Sequence, residues 1–131
     1  MNAICREESA RAQASFDKLP RSSQVDLDLS HSRMTPVAMR YLTQFADVAL
    51  RFSRPAFERA RRVAIVARDE PMRTSYLAAN AHMLDVLVKL RAATGRGDPK
   101  ESIAVFRQTL IASARIGQLD VRYQLTDCGS S

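Results

Sequence analysis

The sequence contains few of the residues that build turns, sheets and catalytic centres. Its 131 residues include no Trp, four Gly, five Pro, two Cys and two His, and aromatic residues make up only 6%. So little Gly and Pro argues against a turn-rich β fold, and this length fits a single domain. Because 46% of the residues are apolar, we expect an all-α core of Leu, Ile, Val, Met and Ala.

The patterns that carry catalysis or hold a cofactor are also missing. His31 and His82 have no Cys, Asp or Glu at metal-ligand spacing, and Cys5 and Cys128 stand alone near opposite ends. The sequence has no Gly-rich phosphate loop, no Gly-x-Ser-x-Gly and no His-Glu-x-x-His. We therefore predict a protein that is not an enzyme and uses no metal or other cofactor.

Long apolar runs are absent, but positive charge is abundant. No segment approaches the roughly 18 apolar residues that span a bilayer, and the N-terminus lacks the apolar region of a Sec signal peptide. The net charge is +6, and of the 20 basic residues only Lys18, Lys89 and Lys100 are lysines. Such Arg usage is typical of GC-rich coding sequences. Nucleic-acid binding is therefore kept as an alternative rather than as the main hypothesis.

The composition divides the chain into three parts. Residues 1–33 are polar with isolated apolar residues, which predicts a flexible segment, either a plain tail or an export or partner-docking segment. Residues 34–126 are predicted to form a helical domain, and residues 127–131 a flexible tail. About four amphipathic helices should close into a small bundle or helical hairpins.

Helix boundaries are indicated by caps and breakers. Thr35 is a suitable N-cap and Pro36 a suitable first residue for one helix, while Pro55 suits the first turn of the next. Gly95 is placed to end a third helix in a left-handed conformation. These signals favour short helices separated at the prolines and the glycine.

The tripeptide Arg96-Gly97-Asp98 would suggest integrin binding if it lay at the tip of a flexible loop. The residues around it fit a helix start better. Asp98 can cap the first backbone amides, Pro99 needs no donor there, and Glu101 completes a capping box. The following residues recur at spacings of three and four: Ile103, Phe106, Leu110, Ala114, Gly117 and Val121, widened by Ile111, Leu119 and Leu125.

Two surfaces are candidates for binding a partner. The predicted assembly interface comprises Ile103, Phe106, Leu110, Ile111 and Leu119 of the last helix, with Leu84, Leu87 and Val88 of the preceding one. A basic region could dock an anion or a partner protein, or could simply be a solvated face, and it comprises Arg54, Arg59, Arg61 and Arg62.

Residues 98–125 resemble the C-terminal part of the inner-rod proteins of bacterial type III secretion systems. The residues that carry the resemblance are Asp98-Pro99-Lys100-Glu101-Ser102-Ile103-Ala104, then Phe106, Thr109-Leu110, Ile116 and Leu119. The polar N-terminus without a Sec signal is also similar. The resemblance implies a subunit that is cytoplasmic before export and assembles with copies of itself and with apparatus components. The alternatives are a helical adaptor or chaperone for one protein partner, and a basic nucleic-acid-binding regulator.

Overall fold

The computed structural model describes residues 2–62 and 70–123, and every regular element in these ranges is a helix. The elements are α1 (Asn2–Asp17), α2 (Ser23–Ser30), α3 (Pro36–Arg62), α4 (Glu70–Gly95) and α5 (Pro99–Tyr123). The all-α prediction is confirmed, with five described helices instead of about four. The predicted flexible tail at residues 127–131, Cys128 and Leu125 lie outside the described residues.

The long helix α4 lies between α3 and α5 and packs against both, while α1 and α2 pack against α3. Contacts between α3 and α4 run in opposite directions: the Thr43 and Thr94 hydroxyl oxygens lie 2.7 Å apart, and Asp47 forms an ion pair with Arg91. Only residues 96–98 separate α4 from α5, a connection short enough to make them an antiparallel hairpin. The three long helices therefore form an up-down-up arrangement.

The apolar core is built around α4 in two neighbouring clusters. The larger cluster joins α2, α3, α4 and α5: Val25, Met34, Met39, Tyr41, Leu42, Ala46, Val86, Leu90 and Val105. The smaller cluster joins Ala49, Leu50 and Leu87, with Phe16 of α1 packed against it. The ring centroids of Phe16 and Phe45 lie 5.1 Å apart. Each fully buried aliphatic side chain stabilises the fold by about 1.5 to 3 kcal/mol.

The expectation that residues 1–33 form a flexible segment differs from the structure, which places α1 and α2 there. Val25 is fully buried against α3 and α4, and Leu19 and Leu29 are packed against the same cluster. The sequence gives little sign of these helices because each contributes only a few apolar contacts. The apolar residues of both helices are few and isolated in the sequence, so their contacts with α3 are visible only in the folded molecule.

A buried carboxylate joins α2 to the start of α3. Asp28 accepts hydrogen bonds from Gln24 Nε2 at 2.9 Å and from Thr35 Oγ1 at 3.0 Å, and lies 3.5 Å from Arg33 Nε. Thr35 Oγ1 in turn accepts a hydrogen bond from the Ala38 amide at 3.1 Å. The predicted N-cap at Thr35 is confirmed, and the cap also anchors α2.

Pro55 does not begin a new helix as predicted, because α3 continues through it to Arg62. Proline has no amide hydrogen, so the carbonyl of Arg51 one turn earlier loses its helical donor. Both residues are exposed, and water can therefore satisfy that carbonyl. Ala49 and Leu50 cluster with Leu87 of α4 before Pro55, and Arg73 of α4 donates a hydrogen bond to the Arg61 carbonyl after it. These contacts offset the cost of about 3 kcal/mol that an interior proline carries.

The tight turn between α4 and α5 is made by the Arg-Gly-Asp tripeptide. Gly97, rather than Gly95, adopts the left-handed conformation, with φ at 67°. Its amide bonds the carbonyl of Thr94 and the Asp98 amide bonds that of Ala93, each at 3.1 Å. This pair of hydrogen bonds is a Schellman motif, which ends α4.

Asp98 then begins α5, as predicted. Its side-chain Oδ1 accepts a hydrogen bond from the Glu101 amide at 3.1 Å. The Asp98 carboxylate is therefore engaged in capping, while its amide closes the preceding helix. The tripeptide therefore ends α4 and begins α5.

Candidate protein-binding surface

Helix α5 presents a buried face to the rest of the domain. The face follows heptad spacing and consists of Ser102, Val105, Thr109, Ala112 and Leu119, all of them buried. Spacings of three and four place these residues on one side of the helix. We call them the inner face of α5.

A second apolar row lies on the opposite side of the same helix. Leu110 is 54% exposed, Ile111 71% and Val121 81%, and Ala114 between them is also exposed. These four residues are called the outer face of α5. Single exposed apolar residues are ordinary, but a row on one helix is typical of a protein-binding surface.

Basic side chains border the outer face. Arg107 and Arg115 lie one turn before and one turn after Ile111, so they lie on the same side of the helix as Ile111. Lys100 lies two turns before Arg107 on the same side, and all three cations are exposed. The outer face therefore combines an apolar row with a positively charged border.

Near the C-terminal end of α5, a carboxyl group is buried without a hydrogen-bond partner. Asp120 is 8% exposed, and among the described residues neither of its carboxylate oxygens has a hydrogen-bond donor. Burial raises the pKa of Asp120 above the usual range. Tyr76 of α4 also has a raised pKa, mainly because burial penalises its charged form and secondarily because of the negative charge of Asp120.

The structure divides the eight residues predicted as an assembly interface. Leu87 and Leu119 are buried inside the domain, where no partner can reach them. Leu84, Ile103 and Phe106 are half-buried and pack against the two core clusters. Three of the eight are exposed: Leu110 and Ile111 on the outer face, and Val88 on α4.

Val121 is the most exposed of the large apolar residues and was not among those eight predictions. A signal for it was present, because Leu110, Ala114 and Val121 repeat at spacings of four and seven. The predicted stripe mixed inner-face Leu119 with these outer-face residues. Only the packing against α4 separates the two sets.

The predicted basic docking region lies at the C-terminal end of α3. Arg54, Arg59, Arg61 and Arg62 are all exposed. Arg61 is paired with Glu58 at 2.9 Å, and its carbonyl accepts a hydrogen bond from Arg73. Helical spacing places Arg54 and Arg61 on one side and Arg59 and Arg62 on others, so the four cations do not form one flat patch.

Two general findings bound the chemistry of the described part of the chain. Within residues 2–62 and 70–123, no group of three or more His, Cys, Asp or Glu side chains is arranged to hold a metal ion. Over the same ranges, no helix combines the length and the apolar character needed to cross a membrane. His82, predicted to lie at the surface, is exposed on α4.

Comparison with known proteins gives no family for this chain. No protein-family model, curated protein or solved structure matches it. The surface is therefore interpreted from its own residues.

Proposed function

We propose that this protein is a non-enzymatic helical component that binds a partner protein through the outer face of α5. The observation that supports this is the exposure of Leu110, Ile111 and Val121 in one row, while the inner face of the same helix already completes the core. An amphipathic helix laid along that row would remove these side chains from water. Each buried residue of this size contributes about 1.5 to 3 kcal/mol.

The charged border favours an acidic partner over a second copy of this chain. Two copies packed face to face would bring Arg107 and Arg115 close to the same residues of the partner, whichever way the helices ran. A second copy would also carry a net positive charge, since the chain has 20 Lys and Arg against 14 Asp and Glu. The occupant we propose is an amphipathic helix with acidic residues flanking its apolar side.

The resemblance of residues 98–125 to inner-rod proteins gives the proposal a specific setting, a type III secretion apparatus. In that setting the partner is another component of the apparatus, and binding is a step of assembly. An adaptor or chaperone for a single protein uses the same surface with a partner outside the apparatus. Both versions depend on the outer face, and the identity of the partner separates them.

The experiment is site-specific photo-crosslinking in the producing cell, with the reactive residue at position 110 and a control at exposed Ala14 on α1. We expect one protein to be captured at position 110 and not at position 14. Its crosslinked segment should be an acidic amphipathic helix. A synthetic peptide of that segment should bind the purified domain.

Leu110→Asp should weaken peptide binding by roughly ten-fold or more, because an apolar contact is lost and a negative charge faces acidic residues. Gln108→Asp is the matched control: it adds the same charge on the same helix, two residues away and on a different side. Equal losses in the two variants would contradict the proposal, as would capture of a second copy. Binding of nucleic acid that weakens steeply with salt would favour the regulator hypothesis.

A further inference from the structure

An open groove at the end of the domain formed by the α4–α5 turn is lined by two arginines and by no acidic residue, and we call this groove the cavity. It has a volume of about 480 Å³ and lies between the start of α3 and the turn. The residues that determine its chemistry are Arg40, Gln44 and Thr43 of α3, and Thr94 and Arg96 at the end of α4. Volumes of this size accommodate small organic ligands.

Both arginines that line the cavity are exposed, and neither forms an ion pair within the described residues. No acidic residue lines the cavity. Asp47 forms an ion pair with Arg91, and the Asp98 carboxylate, which keeps its charge, accepts a hydrogen bond from the Glu101 amide and does not pair with either arginine. Two like charges facing one space favour an anion that is shared between them.

The neighbouring polar groups determine how an anion would be held. The hydroxyl oxygens of Thr43 and Thr94 are 2.7 Å apart, and each also lies 2.9 Å from the carbonyl four residues earlier. Their two hydrogens are used in these contacts, so the pair forms a wall without a spare donor. The amides of Gly97 and Asp98 are likewise used in the turn.

The available donors are therefore side chains of α3 and of the α4–α5 turn. Arg40 and Gln44 lie one turn apart on α3, and Arg96 is held at the end of α4 by the Schellman turn. Guanidinium groups match the oxygens of phosphate and can donate two parallel hydrogen bonds. Two arginines without a competing carboxylate suit the double negative charge of a phosphate monoester.

We propose that this cavity binds the phosphate group of a small phosphate monoester through Arg40 and Arg96. Met39 and Pro36 give the cavity an apolar wall. The volume leaves room for an organic group beside the phosphate, which would lie against that wall. The site is separate from the outer face of α5, and the proposal does not depend on the partner-binding proposal.

Titration by NMR at low ionic strength tests the assignment, with inorganic phosphate and phenyl phosphate as the probes. We expect both to shift the amide signals of residues around Arg40 and Arg96. Phenyl phosphate should bind several-fold more tightly, because its ring contacts the apolar wall. Equal affinities would overturn the monoester assignment.

Variants locate the site. Arg40→Gln and Arg96→Gln should each weaken binding of phenyl phosphate by about ten-fold or more, since each removes a charge-assisted contact. Arg115→Gln removes an exposed cation from α5, outside the cavity, and should leave the affinity unchanged. Equal weakening by all three variants would show attraction by net charge alone and would overturn the site. Leu110→Asp should not affect phosphate binding, so failure of one proposal is distinguishable from failure of the other.

Discussion

On the two faces of α5, burial does not follow the polarity of the side chains. The inner face includes Ser102 and Thr109, with Asp120 beside it, yet it is buried. The outer face carries the large apolar residues Leu110, Ile111 and Val121 with Ala114, yet it is exposed. Apolar periodicity therefore does not identify the core side of this helix. It identifies a helix with two apolar sides, one packed within the domain and one for which we propose a partner.

The polar residues of the inner face lie among large buried apolar residues of both helices. Val86 and Leu90 of α4 are fully or almost fully buried, and α5 adds Val105 and Leu119. Thr109 satisfies its hydroxyl within its own helix by donating to the Val105 carbonyl at 3.1 Å. A few large contacts are thus enough to hold α5 against α4.

The largest expected effect is on the free energy of unfolding, and it differs between the inner and outer faces of α5. Leu119→Ala should lower the free energy of unfolding by about 3 kcal/mol, because Leu119 is only 1% exposed and its loss leaves a cavity. Ile111→Ala on the outer face should change it by less than about 0.5 kcal/mol. Urea denaturation followed by circular dichroism measures both. Similar losses in the two variants would mean that Ile111 is buried in solution, in a self-associated form or against another part of the chain.

Asp120→Asn tests the polar side of the comparison and should stabilise the protein by about 1 kcal/mol at neutral pH. The ionised carboxylate is buried without a donor among the described residues, and the amide carries no charge. In the wild type the folded state binds the carboxyl proton of Asp120 more tightly than the unfolded state does. In the unfolded state the pKa of an Asp is about 3.9. Wild-type stability therefore falls as the pH rises from that value through the raised pKa of the folded state.

The advantage of Asp120→Asn should accordingly vanish below about pH 4, where both side chains are neutral. Urea denaturation across the pH range measures it. The substitution should also lower the pKa of Tyr76 towards its usual value, since one cause of its increase is the charge of Asp120. A stability difference that does not depend on pH would contradict this account, because it would show that the carboxyl group keeps the same charge throughout.

Much of the fold could be predicted from local chemistry. The caps at Thr35 and Asp98 are present because a short polar side chain before a helix binds free amides whatever the tertiary context. The continuation of α3 through Pro55 could not be predicted, since it depends on packing against α4. The helices α1 and α2 could not be predicted either, because their few apolar residues are buried only by packing against α3.

The candidate surface could be predicted only in part, for a related reason. Helical spacing selected Leu110 and Ile111, but it grouped them with Leu119 because a wide apolar stripe does not show which side faces a neighbour. The cavity at Arg40 and Arg96 depends on residues 56 positions apart in the sequence that the α3–α4 packing brings together. No local pattern marks such a pair.

An effect of similar size is expected at the first residue of the inner face, and a smaller one at a matched exposed serine. Ser102 is fully buried, and its hydroxyl has no hydrogen-bond partner among the described residues. Ser102→Ala should stabilise the protein by about 1 kcal/mol, partly through helix propensity and partly by removing the unsatisfied hydroxyl. Ser113→Ala on the exposed surface of the same helix should give only the propensity gain, of about 0.5 kcal/mol or less.

The difference between the two serine variants measures what burial of the hydroxyl costs on the inner face. If Ser102→Ala is less stable than the wild type, the hydroxyl has a partner, such as an ordered water between α4 and α5, and the inner face is more polar in its contacts than its side chains indicate. If the expected order holds, the inner face is buried despite its polar residues.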